Sequence, residues 1–345
     1  MTSFNVFWVF SLIAYQPFFA KADSAKSLVP ALYVFGDSSV DAGNNNYLNT
    51  PAKVNKSPYG IDLNNNATGR FSNGKTFADL YAVKLGLPLP PPYLGVSEST
   101  RYQVATGINY ASGACGILDD TRAGECLTLG KQIEYFNSTV TNDLPKHFQS
   151  KEELRHHLSK SLYMISMGSN DYVLNYLPKT KAQKENKTPV QFADYLLEHL
   201  ASKIKILYDL GARKFLIGLV GQIGCSPFKF CIEDVNQIVK PCSDKLPSKL
   251  QELQKQLSGS LLVSTDAYNF FNEIKNAPEK FGLKVIDKAC YPKEGAPVCG
   301  NRKEYYFWDS FGHTTEFASE IYVDECFSGS KLCSPINVEQ LVRAP

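Results

Sequence analysis

Five histidines occur in this sequence, and only His313 sits where an imidazole can do chemistry. His147, His156, His157 and His199 lie in or beside polar helical stretches with no small-residue turn nearby. His313 ends the run Trp308-Asp309-Ser310-Phe311-Gly312-His313, with a carboxylate four residues before it. In a helical turn that spacing puts both side chains on one face, so Asp309 can hold the imidazole tautomer that accepts a proton. A base of this kind needs a nucleophile, and Ser38 in Gly36-Asp37-Ser38 supplies a hydroxyl that is inert without one. Acyl transfer also needs donors for a developing oxyanion; Gly113 can offer a backbone N–H and Asn170 a side-chain amide. Taken singly, each piece has a plainer reading as a turn, a helix cap or a surface pair. Their joint occurrence at the ends of predicted strands is what points to an active site.

Those strands are short apolar runs: Ala31 to Phe35, Val104 to Tyr110, Leu162 to Ser166, Lys214 to Leu219 and Leu261 to Ser264. Helical patterns alternate with them at Thr76 to Leu85, Leu129 to Val140, Pro189 to Leu210 and Pro247 to Leu257. In the third, Phe192, Leu196, Leu200, Ile204 and Leu207 recur at three- and four-residue steps and mark one buried face. Strands that are apolar throughout, separated by helices, imply a parallel sheet covered on both sides. Ligands bind at the carboxyl ends of such strands. Gly36-Asp37-Ser38, Ala111-Ser112-Gly113 and Gly168-Ser169-Asn170-Asp171 all fall there.

The chain has 345 residues, 43% hydrophobic and 20% charged, enough for one sizeable core. A net charge of +2 without any basic block excludes a nucleic-acid or anionic-surface footprint. Residues 1–22 read as a signal peptide: an apolar run from Phe4 to Ala14, then the small-x-small site Ala20-Lys21-Ala22. Residues 23–345 then form a single domain, and no later window is long and apolar enough to span a membrane. Export agrees with nine cysteines and with sequons at Asn55, Asn66, Asn137 and Asn186, of which Pro58 and Pro189 disfavour the first and last. Close spacing pairs Cys115 with Cys126, Cys290 with Cys299 and Cys326 with Cys333; Cys242 pairs with Cys225 or Cys231, leaving one odd thiol. No Cys/His spacing resembles a zinc site.

The run Val34-Phe35-Gly36-Asp37-Ser38-Ser39-Val40-Asp41-Ala42-Gly43-Asn44-Asn45-Asn46 resembles the first block of the plant GDSL-motif esterase/lipase family, within the SGNH hydrolases. Gly69-Arg70-Phe71-Ser72-Asn73-Gly74 is similar to that family too, as are Asn109 to Gly113, its second block, and Gly168 to Asp171, its third. Asn276-Ala277-Pro278-Glu279-Lys280-Phe281-Gly282 loosely resembles a later stretch, so the likeness runs from about Pro30 to Cys326. The resemblance implies a three-layer αβα sandwich around a five-stranded, flavodoxin-like parallel sheet. It implies Ser38 as nucleophile, with its own N–H, Gly113 and Asn170 as oxyanion donors, and no metal or organic cofactor. The family's last block is usually Asp-x-x-His-Pro, whereas here one extra residue precedes His313 and Thr314 replaces the proline. Gly312 is expected to absorb the extra residue as a local bulge, and Thr314 or Thr315 to cap the next helix.

The expected activity is secreted, extracellular hydrolysis of a carboxylic ester by Ser38, His313 and Asp309. The ester is left open among acyl lipids, acetylated glycans and small esters. The absence of a Gly-x-Ser-x-Gly elbow argues against an α/β-hydrolase. Two other readings use the same scaffold: a binding protein inactivated by its altered last block, and a transferase that moves the acyl group onto an alcohol.

Overall fold

The structure, a computed structural model, describes residues 27–178, 187–227 and 231–345. Strands β1 (Leu32–Gly36), β2 (Leu162–Ser166), β3 (Lys214–Gly218) and β4 (Leu261–Thr265) pair in that order, all parallel. The run expected as a strand near Val104 to Tyr110 lies beside β1 without forming a full ladder. Leu32 and Val34 donate to Thr106 O and Ile108 O, and Tyr110 and Ser112 donate to Val34 O and Gly36 O. That extended segment therefore sits on the far side of β1, and the parallel part of the sheet has the order expected of a flavodoxin-like fold. Two further strands, β5 (Val285–Tyr291) and β6 (Tyr305–Asp309), form a separate parallel pair. The remaining strand of the main sheet, β7 (Cys333–Ser334), is short and antiparallel to β4, a departure from the all-parallel expectation.

Alternate residues of the strands face opposite layers. Tyr33, Phe35, Tyr163, Ile165, Phe215 and Ile217 pack with helices α2 (Leu129–Ser138), α3 (Lys151–Lys160), α4 (Pro189–Asp209) and α5 (Glu233–Gln256). Leu32, Val34, Leu162, Met164, Leu216 and Val263 pack with α1 (Phe77–Leu85), α6 (Ala267–Asn276), α7 (Glu316–Ser328) and α8 (Val338–Arg343). The result is helix–sheet–helix, as expected from strands apolar on both faces.

Helix boundaries follow local chemistry. Thr76 caps α1 in a reciprocal box with Asp79, and Thr188 does the same for α4 with Gln191. The helix expected from Pro247 begins much earlier, at Glu233, and runs through Pro241 and Pro247. Each proline removes one helical hydrogen bond, but Val239, Cys242, Leu246, Leu250 and Leu253 keep a continuous buried stripe along the helix. Tertiary burial outweighs the local breaker.

The disulfides are Cys115–Cys126, Cys225–Cys231, Cys290–Cys299 and Cys326–Cys333. Cys242 was expected to pair with Cys225 or Cys231; it is instead the free thiol, buried on α5 in the core. The signal-peptide residues and Asn186 lie outside the described residues. Asn55, Asn66 and Asn137 are exposed. No described helix is long and apolar enough to cross a membrane.

Candidate active site

Strand β1 delivers Ser38 to the carboxyl edge of the sheet. Gly36 passes so close to its neighbours that an added Cβ would lie 2.4 Å from both Ser166 O and Val40 Cγ2. Gln132 of α2 clamps this residue, accepting the Gly36 N–H and donating to Gly36 O, each at 2.8 Å. The turn after it closes on Asp37, whose carboxylate accepts the Ser39 N–H at 2.9 Å. Burial raises the Asp37 pKa, though its hydrogen bonds and His313 pull the other way.

Ser38 Oγ lies 2.8 Å from His313 Nε2, and His313 Nδ1 lies 2.7 Å from Asp309 Oδ2. Asp309 is the last residue of β6 and its side chain is 3% exposed. Its Oδ2 also accepts the Tyr59 hydroxyl at 2.9 Å, while Oδ1 accepts the Phe311 and His313 N–H groups at 3.0 and 3.3 Å. Burial by itself lowers the His313 pKa; the Asp309 charge and hydrogen bond, helped by Asp37, outweigh it and leave a net upward shift.

The segment joining Asp309 to His313 is a tight hairpin loop rather than the expected helical turn. Trp308 N donates to His313 O, Gly312 N to Asp309 O, and Phe307 bridges Thr314 in antiparallel fashion. Gly312 takes φ 95°, a conformation that suits a residue without Cβ. Phe311, beside it in the loop, is 86% exposed. Of the two threonines considered, Thr315 caps α7, accepting from Ala318 N.

The expected oxyanion donors fare differently. Asn170 follows the turn after β2 and lines the same cavity as Ser38 and His313; one of its amide protons goes to Cys115 O at 2.9 Å. The Gly113 N–H, expected to face the reaction, donates instead to Asp41 Oδ2 at 3.0 Å. Its neighbour Ala114 lines the cavity, has φ 63° in the left-handed region, and its N–H meets no acceptor among the described residues.

Most of the remaining motif residues tie loops together. Asp41 is buried and gathers the N–H groups of Gly43, Asn44 and Gly113; burial pushes its pKa up to about 6 against those bonds. Asn44 donates to Asn109 O and Ala111 O, and Asn109 donates back to Val40 O, so the first and second blocks interlock. Asp171 accepts from Ile117 N and Leu118 N, which fixes the loop after Ala114 to the segment carrying Asn170. Arg70 makes a two-point contact with Asp79 and donates to Ala42 O.

Sequence reasoning missed Tyr59, Gln132 and Ala114. Tyr59 meets Asp309 across 250 positions of chain with no motif to announce it. Ala114 carried a signal, since it directly follows the second block. His147, His156, His157 and His199 stay away from the cavity. Among the described residues no group of three or more His, Cys, Asp or Glu could hold a metal ion.

A serine, a histidine and an aspartate thus lie hydrogen-bonded in series at the carboxyl edge of the sheet in a three-layer α/β chain. Residues 32–325 match the GDSL-like Lipase/Acylhydrolase family, and the chain belongs to it. Similar proteins from Arabidopsis thaliana include GDSL esterase/lipase 7, 38% identical over 92% of this chain and 93% of its own. Two further GDSL esterase/lipases of that plant are 37% identical over 92% of this chain and 87% of theirs, and 36% identical over 96% and 93%. An acetyl-xylooligosaccharide esterase of known structure from Geobacillus covers 72% of this chain and 80% of its own at 13% identity and a TM-score of 0.34, too distant for its substrate to bear on this one.

Proposed function

We propose that the protein is a secreted hydrolase of carboxylic esters in which Ser38 is the nucleophile, His313 the base and Asp309 the residue that orients it. The observation that carries this reading is the continuous series Ser38 Oγ–His313 Nε2–Asp309, at 2.8 and 2.7 Å. His313 Nδ1–H donates to Asp309, which leaves the Nε2 lone pair to take the Ser38 proton as the hydroxyl attacks the ester carbon. The tetrahedral oxyanion is held by the Asn170 amide, the Ser38 N–H and a backbone N–H of the second block. That last donor is Ala114 in preference to Gly113, because the Gly113 proton is already committed to Asp41. Protonated His313 then passes its proton to the leaving alkoxide. A water deprotonated by the same imidazole attacks the acyl-enzyme and releases the acid.

Membership of an esterase/lipase family and relatives named as such support ester hydrolysis. The disulfides and exposed sequon residues support export. The inactive-scaffold reading needs His313 swung away from Ser38, and the 2.8 Å contact argues against it. The transferase reading differs only in the acceptor, which product analysis with and without an added alcohol separates. The primary test is Ser38→Ala: hydrolysis of a chromogenic ester should fall by several orders of magnitude with thermal unfolding nearly unchanged, and a serine-directed organophosphorus reagent should label Ser38. Activity that survives the substitution overturns the assignment.

A further inference from the structure

Asp309 Oδ2 carries two hydrogen bonds, one from His313 Nδ1 at 2.7 Å and one from the Tyr59 hydroxyl at 2.9 Å. Oδ1 is taken up by the Phe311 and His313 amides. Every donor except Tyr59 comes from the loop that Asp309 itself begins; Tyr59 comes from 250 positions away. Its ring is held in place by the two strands that present Asp309. Trp308 precedes Asp309 on β6, and Tyr291 faces Asp309 in register at the end of β5. Tyr59 packs edge-on against both rings, its centroid 5.9 Å from each, and those two rings stack on one another at 5.8 Å. The backbone beside it is equally confined. Gly60 takes φ 73°, its N–H donates to Ser72 O at 3.0 Å, and a Cβ there would lie 2.0 Å from Asn66 O. One pair of strands therefore places both the hydroxyl and the carboxylate, which fixes the direction from which Oδ2 is approached.

The bond also has an electrostatic consequence. A carboxylate oxygen shared between two donors offers each of them less charge than it offers one alone. Burial first, and then the Asp309 charge, raise the Tyr59 pKa, so the phenol keeps its proton and remains a donor. It pairs an oxygen that burial denies to water, since the Asp309 side chain is 3% exposed. Among the other groups facing this set, Asp37 acts on His313, and Tyr291 and Glu294 act on Tyr59. Glu294 is paired with Lys56 at 2.7 Å, and Lys53 and Lys293 line the same cavity. None of these hydrogen-bonds to Asp309, so among the described residues Tyr59 alone reaches the carboxylate from outside its own loop.

We propose that Tyr59 is the positioning residue of the Asp309–His313 pair: it sets the direction of the Asp309 carboxylate and takes up part of its charge, which holds His313 in line with Ser38 and moderates its basicity. The role rests on Ser38, His313 and Asp309 acting as proposed above. Tyr59→Phe removes the hydroxyl and keeps the ring. Oδ2 then serves His313 alone, so the imidazole becomes the stronger base, while the carboxylate, freed on one side, orients it less well. The acid limb of kcat/KM on a chromogenic ester should move up by about 0.5–1 pH unit, and kcat on the plateau should fall by about three- to tenfold. A tyrosine that only packs would lower the unfolding temperature and leave the limb in place. Histidine NMR titration of Ser38→Ala and of Ser38→Ala/Tyr59→Phe reads the same shift without turnover, the His313 signal being identified by its loss in Ser38→Ala/His313→Ala. An upward shift in the Tyr59→Phe protein supports the proposal even if no ester is cleaved, in which case the catalytic reading alone fails. If thermal unfolding shows Tyr59→Phe not folded, 3-fluorotyrosine in place of Tyr59 keeps the packing and carries a more acidic hydroxyl. As a stronger donor to Asp309 it should move the limb down by about 0.2–0.5 pH unit. A His313 titration or an acid limb that stays in place, or that moves against these directions, overturns the proposal.

Discussion

Replacing Asp309 by asparagine tests the proposed role of this residue with almost no change of shape. Four hydrogen bonds converge on its two oxygens: the Phe311 and His313 amides on Oδ1, and the Tyr59 hydroxyl and His313 Nδ1 on Oδ2. An asparagine has one oxygen and one NH₂ to meet four donors. If the oxygen turns to His313, the NH₂ faces two backbone N–H groups and leaves both unpaired, at about 1–3 kcal/mol each. If the oxygen stays with the backbone, the NH₂ faces His313 Nδ1, which must then accept. The proton moves to Nε2 and points at Ser38, the wrong tautomer for a base. The second arrangement keeps the loop intact and is the one expected. A mispaired tautomer of this kind costs about four powers of ten in kcat, or about 5.4 kcal/mol of transition-state stabilisation. Thermal unfolding should move little by comparison. The pH profile should move as well. With neutral imidazole as the active form, the acid limb of kcat/KM in the wild type lies above the ordinary histidine range, because Asp309 and Asp37 outweigh burial. Without the Asp309 charge, burial lowers the imidazole and the limb shifts to lower pH. Steady-state kinetics of both proteins on one ester, from acid to mildly alkaline pH, reads all of this. A kcat within about tenfold of wild type, with the acid limb unmoved, would refute the reasoning.

Three further outcomes are expected. Asn170→Ala should lower kcat by about 10²–10³-fold with KM little changed, the usual loss for one oxyanion donor; an unaltered kcat would make Asn170 only a turn residue. Gly113→Ala keeps the backbone N–H but sets a Cβ 2.7 Å from the Phe71 ring, which packs against His313 with ring centroids 5.0 Å apart. It should lower stability by about 1–3 kcal/mol and activity with it, measured by denaturant unfolding and kinetics, whereas wild-type stability would show the ring free to retreat. Expressed in a eukaryotic secretory host, the mature chain should begin near Asp23 and lose mass on deglycosylation; an intact Met1 recovered from the cytosol would sink the export reading.

The polar strand ends at Ser38, Gly113 and Asn170 and the layering of the fold were legible in the sequence because both depend on local pattern. Strands apolar on both faces, separated by helices, can bury themselves only in a covered parallel sheet, and polar residues that follow such strands fall at its carboxyl edge. Boundaries set by caps, such as Thr76 and Thr188, were equally local. What the sequence could not decide depended on packing between distant segments. Helix α5 continues through two prolines because its buried stripe lies against the core, a gain invisible in a window of residues. Asp309 and His313 read as neighbours in a helical turn; only the strand entering at Tyr305 and the carboxylate's own bonds to Phe311 and His313 make the loop a hairpin. The Gly113 N–H, read in the sequence as a donor to the reaction, is held instead by Asp41, 72 positions away in the chain.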